Sequence, residues 1–364
     1  MEHIAEEYAS GIARIGRLRN LTSEEEQAYN EKLARKKEYE NAIYEAGQVS
    51  DRIFANVKKF QHEEYQYLNL LENILENGVW EEGRNGRTKS IFGASMRFSL
   101  KDGKIPILTT KKTAWKTCLK ELLWFIRGET DNRLLKEQGV HIWDGNSSRE
   151  FLDSRGLTLT REDLIGPGYG YQWRHFNANY NCLTGKRLLD NDPNDVHKDT
   201  KAFKGVDQLQ QIIDALKDPS QRNSRRLVMT AYNPAQLDQM ALPPCHIFCQ
   251  FNVHDGNKLS CAMYQRSIDT ILGQPFNIAS YSFLTHLLAK HCGLEAYEFI
   301  HFMGNCHLYE NAIDPAKLQI TREPFEFPTV SIEQVRENIN DYKVEDFKIH
   351  NYKSHDAIKV AMVA

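Results

Sequence analysis

Two prolines stand immediately before a cysteine and a histidine in "ALPPCHIFCQF", the stretch 241–251. A cysteine that only fills a core needs no stiffened approach, whereas a reactive one has to be held in place and kept as thiolate. Cys245 is therefore the first candidate nucleophile. On a strand, residues 245, 247, 249 and 251 share one face, and Cys249 then packs as an inert core thiol. His246 points the other way along such a strand, so a Cys-His protease pair is poorly formed. A zinc site from Cys245, His246 and Cys249 lacks a second ligand pair at suitable spacing.

Arginines form the second constellation. Arg225 and Arg226 are adjacent, Arg266 follows Gln265, and Arg84 and Arg87 lie in a glycine-containing turn. Converging guanidinium forks make a dianion site and favour a nearby thiolate over a thiol. Single arginines in surface ion pairs are the plainer reading. "QRSIDTILGQPFNIASY" gathers Arg266, Ser267, Asp269 and Asn277 around a Gly-Gln-Pro turn that opens a helix. Asp269 or Asn277 caps that helix, or the Asn277 carboxamide reads a ring edge with its paired donor and acceptor. Glu121 lies in "LKELLWFIRG", where a carboxylate either snorkels outward or is buried for chemistry with its pKa raised by desolvation.

The elements that position these residues follow from pattern. "EYQYLNLLENILENG" has helical apolar spacing and stops at Gly78; "IFGASMRFSL" alternates like a strand. "TAWKTCLKELLWFIRG", "GVDQLQQIIDALK" and "IASYSFLTHLLAKHCG" read as helices. "RRLVMTAYN", "HIFCQFNVHD" and "KLSCAMYQRS" read as successive strands. Strand clusters mixed with long helices, without regular alternation, predict an α+β fold. Residues 1–62 differ: "TSEEEQAYNEKLARKKEYENAIYEAG" opens on a Thr22/Glu25 capping box and carries alternating charge with few apolar positions, a solvated helix. The expected division is a charged, mainly helical extension over 1–62 and a catalytic domain over 63–364. Residues 185–204 read as a polar surface loop.

Composition sets the outer limits. With 46 Lys and Arg against 49 Asp and Glu, the formal charge of -3 gives no general nucleic-acid signature. No apolar run has bilayer length, and the amino terminus lacks a signal-like core. Seven cysteines without a regular framework point to free thiols in a reducing compartment, so a cytoplasmic protein is expected.

Taken together, "ELLWFIRG", "IWDGNSSREFL", "GPGYGYQWRHF", "SRRLVMTAYNP", "MALPPCH", "YQRSIDTILGQPFNIASY" and "CHLYEN" resemble the thymidylate synthase family, in its order, from about Glu64 to Ala364. The resemblance implies that family's α+β fold, with sheets packing across a homodimer. It implies reductive methylation of dUMP to dTMP by 5,10-methylenetetrahydrofolate, which gives both the one-carbon unit and the hydride, with no metal. In that chemistry Cys245 adds to C6 of uracil, and C5 then attacks the folate-borne methylene. Glu121 works through ordered water near O4 and C5, and Tyr169 takes part in removing the C5 proton.

The resemblance places the phosphate on Arg84 (or Arg87), Arg266 and Ser267, with Arg225 and Arg226 supplied from the other subunit. Gln265, Ile268, Asp269 and Asn277 line the nucleotide, Asn277 pairing with uracil rather than cytosine, while His307 and Tyr309 meet the deoxyribose hydroxyl. Asp269 also partners the pterin, and Trp143, Asn146, Leu242, Gly273, Phe276 and Val363 line the folate pocket. The sequence departs from the common pattern at Tyr232, Asn305, Ala312 and Val363. A related reaction, in which water replaces hydride and gives 5-hydroxymethyl-dUMP, is the nearest alternative. A non-catalytic binding protein, using the arginine face or the helical extension, is the alternative from another class.

Overall fold

The computed structural model describes residues 62–83, 85–188 and 203–362, together with Gln27, Asn30, Glu31 and Ala34. These last four are helical and exposed, on the stretch whose charge pattern predicts a solvated helix; the rest of that extension and most of the polar loop lie outside the described residues. The chain divides at His62/Glu63. The second unit, from Glu63 onward, contains every candidate site residue.

Its helices and strands run α1 (Tyr65–Asn77), β1 (Val79–Gly83), β2 (Gly86–Ser99), α2 (Trp115–Ile126), α3 (Arg133–Lys136), α4 (Arg149–Ser154), α5 (Gly170–His175), α6 (Gln208–Lys217), β3 (Val228–Thr230), β4 (His246–His254), β5 (Lys258–Asp269), α7 (Gly273–Cys292), β6 (Glu295–Tyr309), α8 (Ile313–Ile320), β7 (Thr329–Ile332) and β8 (Phe347–His350). Six strands form one sheet in the order β1-β2-β6-β5-β4-β3, and β7 and β8 pair separately. Only β5 and β6 run parallel; every other neighbouring pair in this sheet is antiparallel. The mixed sheet with helices about it is the α+β architecture expected from the sequence.

The parallel pair requires a crossover, and α7 supplies it. This helix is apolar all round rather than on one stripe, as a helix enclosed by other elements must be. Sixteen of its residues are buried, among them Phe283, Leu284, Leu287 and Leu288. It packs against β5, β6 and α2. The elements that carry Glu121, Arg266 and Asn277 thus share one rigid centre.

Two local devices hold the chain around that centre. Glu64 is fully buried, and both the main-chain N–H and the hydroxyl of Thr109 and of Thr110 donate to its carboxylate at 2.6–3.0 Å. A buried carboxyl so completely hydrogen-bonded costs little to retain and pins the entry to Lys111. At the opposite side, α5 crosses α2 so closely that a Cβ on Gly170 would lie 2.2 Å from the Phe125 carbonyl oxygen. Only glycine fits there.

Candidate active site

Cys245 does not sit within a regular strand. It precedes β4, whose pairing with β5 shifts register between His246 and Phe248. The simple alternation expected over 245–251 is therefore broken at its start, and Cys245 is half-buried while Cys249 and Phe251 are sealed in the core. All seven cysteines are free.

The prolines have a concrete use. Arg266 donates from Nε to the Pro244 carbonyl at 2.9 Å and from Nη2 to the Pro243 carbonyl at 2.8 Å. Its Nη2 then lies 3.9 Å from Cys245 Sγ, and its main-chain N–H donates to the Cys245 carbonyl at 2.9 Å. The stiff Pro-Pro segment thus fixes one guanidinium beside the thiol. The expected bias toward thiolate is only partial: burial pushes the Cys245 thiol up, and Arg266 and the Tyr169 hydroxyl pull it back without fully offsetting that.

Tyr169 is held under strain. Its φ of 42° and ψ of −107° lie in backbone space that bulky residues avoid. Its oxygen accepts from the Cys245 N–H at 3.0 Å, and its ring packs on Phe125 at 5.0 Å and His246 at 4.4 Å. His246 does not touch the thiol: its Nδ1 pairs with the Tyr281 hydroxyl at 2.8 Å. Burial lowers its pKa to about 3, so the imidazole is neutral. A Cys-His protease pair is not formed, and no metal-holding group of His, Cys, Asp and Glu occurs among the described residues.

Glu121 is set between apolar neighbours on α2. Desolvation raises its pKa to about 7, opposed by the Trp143 indole N–H, which donates to its carboxylate at 2.7 Å. Between an ordinary carboxylate value and about 7, the folded chain keeps a proton that the unfolded chain has released. Stability therefore falls as pH rises through that window, and the ionised group exerts its full penalty above it. Glu121→Gln is expected to be more stable than the wild type at pH 8 by about 1–3 kcal/mol and to match it near pH 5, where little penalty remains. Thermal unfolding at the two pH values measures this; an equal offset at both would contradict the assignment.

Asp269 Oδ1 accepts from the Ile271 and Leu272 N–H groups, each at 3.0 Å, so it braces the turn before α7 rather than capping the helix itself. Its other oxygen has no protein partner among the described residues, and burial raises its pKa. Lys111, which the sequence reading missed, is buried near it, donates to the Ile271 carbonyl, and has its pKa lowered to about 8 by desolvation. Nothing in "TTKKTAW" separates this lysine from surface lysines; its setting comes from Ile271 and Asp269, far along the chain. Asn277 Oδ1 accepts from Gln265 Nε2 at 3.0 Å. Asp269 and His307 are cross-strand partners on β5 and β6, with His307 bonded through Nδ1 to Asn305 at 2.9 Å. Ser267 lies between Arg266 and Ile268, a core residue that is 1% exposed.

Trp143, bonded to Glu121, and Asn146 are mostly buried, and Leu242, Gly273 and Phe276 are half-buried. Arg225 and Arg226 stand apart: both are exposed, and neither has a carboxylate partner among the described residues. Arg87 is engaged with Glu82, Glu310 and the face of Trp80. Arg84 and Val363 lie outside the described residues. Two other clefts, of about 420 and 540 Å³, are lined by none of these residues.

Cys245, Arg266, Tyr169, Glu121 and Asn277 are each singled out by the sequence; Arg266 and Tyr169 both contact Cys245, and Asn277 is held by Gln265 beside Arg266. Residues 65–364 match the family model for thymidylate synthase. The chain belongs to the thymidylate synthase family. It is 47% identical over 302 residues to human thymidylate synthase, covering 83% of this chain and 91% of the relative. It is also 47% identical to the bifunctional dihydrofolate reductase-thymidylate synthases of Leishmania major, over 303 residues, and Plasmodium berghei, over 315 residues. Those matches cover 83% and 86% of this chain, which spans only 55% and 50% of the two bifunctional relatives. Lys111 and Tyr281, which the sequence reading does not single out, lie against the predicted residues: Lys111 beside Asp269, and Tyr281 on His246, whose ring packs on Tyr169.

Proposed function

We propose that the chain catalyses reductive methylation of dUMP to dTMP, with Cys245 as the nucleophile. The observation that carries this reading is Arg266, clamped by two proline carbonyls, beside the Cys245 thiol. Adjacent Gln265 fixes the Asn277 amide. One strand therefore links the attacking atom, a phosphate-binding cation and the base reader.

The Cys245 sulfur adds to C6 of uracil and sends electron density onto C5 and O4. Glu121, near neutrality in its proton affinity, exchanges a proton with water at the O4 edge. Tyr169, bonded to the main chain of Cys245, is placed to assist departure of the C5 proton. Elimination of the sulfur from C6 restores the ring and the free thiol.

The cosubstrate 5,10-methylenetetrahydrofolate supplies the one-carbon unit and the hydride. The residues present fit it: the unpartnered oxygen of Asp269 accepts a pterin N–H, and the Trp143 and Phe276 rings offer flat apolar contact. Trp143 also covers Glu121 on one side, which limits water there and favours hydride over water in the last step. The relatives' names, thymidylate synthase in each case, favour the same outcome.

A homodimer completes the site. Ser95, Phe302, Tyr264 and Phe248 form one row across β2, β6, β5 and β4 on the face away from α7. Phe302 and Phe248 are 46% and 39% exposed, and Val228 on the adjoining strand is 43% exposed. An apolar sheet face of this kind is covered by a second copy of itself, and Arg225 and Arg226 lie at its border, free to reach a partner's phosphate.

Incubation with dUMP and 5,10-methylenetetrahydrofolate is expected to give dTMP and dihydrofolate in equal amounts, read by nucleotide mass and by the rise in absorbance. Formation of 5-hydroxymethyl-dUMP with tetrahydrofolate would replace this reading with the hydration reaction.

A further inference from the structure

His301 lies on β6, is fully buried, and is hydrogen-bonded to Gln265. Its Nε2 is 3.0 Å from Gln265 Oε1. Its Nδ1 is sealed from solvent and has no hydrogen-bond partner. Burying an unsatisfied ring nitrogen costs stability, and an apolar side chain would fill the same space without that cost. The position therefore calls for what only the other nitrogen provides, a donor.

The direction of every bond in this chain is fixed by chemistry. The Ser267 carbonyl only accepts, so the Gln265 atom 3.1 Å from it is the amide nitrogen. That same Nε2 is 3.0 Å from Asn277, whose facing atom must be Oδ1. Gln265 Oε1 is then left toward His301, which must present Nε2–H. Asn277 in turn has Nδ2 without a protein partner among the described residues, available to the cleft. Neutral imidazole can carry its proton on only one nitrogen, and the geometry puts it on Nε2.

We propose that His301 is a positioning residue for base selectivity: through Gln265 it fixes the Asn277 amide so that Nδ2 donates and Oδ1 accepts at the base edge, the pairing for uracil and against cytosine. This rests on the reading of the chain as a dUMP enzyme. Removing the His301 donor leaves Gln265 Oε1 buried and unpaired, so the Gln265 orientation rests on the Ser267 carbonyl alone and the hold on Asn277 is weakened.

The experiment compares dUMP and dCMP dissociation constants, by calorimetry, for the wild type, His301→Met and His301→Gln. The wild type is expected to prefer dUMP. His301→Met is expected to narrow that preference by about tenfold, the worth of one orienting hydrogen bond, and His301→Gln, which keeps a donor, to restore it to within about threefold. An unchanged ratio in His301→Met, with dUMP still preferred by the wild type, overturns the relay and leaves the enzyme reading standing. No dUMP preference in the wild type removes the reading beneath it. A direct check needs no altered core: ¹⁵N-histidine NMR of the wild type, with the His301 signal assigned by its loss in His301→Gln, is expected to show a protonated Nε2 and a bare Nδ1. The reverse tautomer overturns the proposal.

Discussion

Cys245→Ser is expected to lower dUMP turnover by at least about a thousandfold, because a serine hydroxyl in the same place is a far poorer nucleophile at neutral pH. Binding of dUMP is expected to change by no more than about threefold, since the swap leaves the phosphate and base contacts in place. The argument is geometric as well as chemical. Arg266 is anchored by Pro243 and Pro244 rather than by the sulfur, so its position survives the substitution. Tyr169 bonds to the main-chain N–H of residue 245, and that contact survives too. Steady-state turnover and calorimetric dUMP binding, measured on the same preparation, separate the two effects. Wild-type turnover in the serine variant would move the nucleophile elsewhere; loss of binding as well would make Cys245 a structural residue of the cleft.

Much of this arrangement was legible in the sequence because local rules and tertiary structure agree. The helix ending at Gly78, the long apolar α7 and the strands carrying Cys249 and Arg266 each announced themselves by period and punctuation. Glu121 stood out as one carboxylate in an apolar helix, and its raised pKa follows from that setting. What could not be read was anything set by an irregularity or by a long-range partner. The register shift after His246 has no marker in "PCHIF", yet it decides which way Cys245 faces. Lys111 and His301 look like an ordinary lysine and an ordinary strand residue. They acquire their meaning from Ile271 and Gln265, 160 and 36 residues away along the chain. The two prolines were read as stiffening, whereas their carbonyls are also the clamp on Arg266.

The second large effect concerns Arg225 and Arg226. If these arginines serve the site of the other subunit, Arg225→Ala/Arg226→Ala homodimers should bind dUMP at least about a hundredfold more weakly, since each charged hydrogen bond to phosphate is worth about 1.5–3 kcal/mol. Cys245→Ser homodimers are inactive for a different reason. In a mixed dimer of the two variants, one site combines both defects, while the other has an intact Cys245 and intact arginines from its partner. Random exchange of equal amounts makes half of the dimers mixed, each with one complete site, so activity should rise from near background to about a quarter of the wild-type value. Arginines acting within their own subunit give no such recovery, because each mixed dimer then holds one nucleophile-deficient and one phosphate-deficient site. The assay is turnover before and after subunit exchange, with mixed dimers counted by distinct affinity tags. Both side chains are exposed and lack a carboxylate partner among the described residues, which makes the cross-subunit outcome the expected one. In the proposed dimer they would stand at the edge of the sheet face that the second copy covers, within reach of its phosphate site.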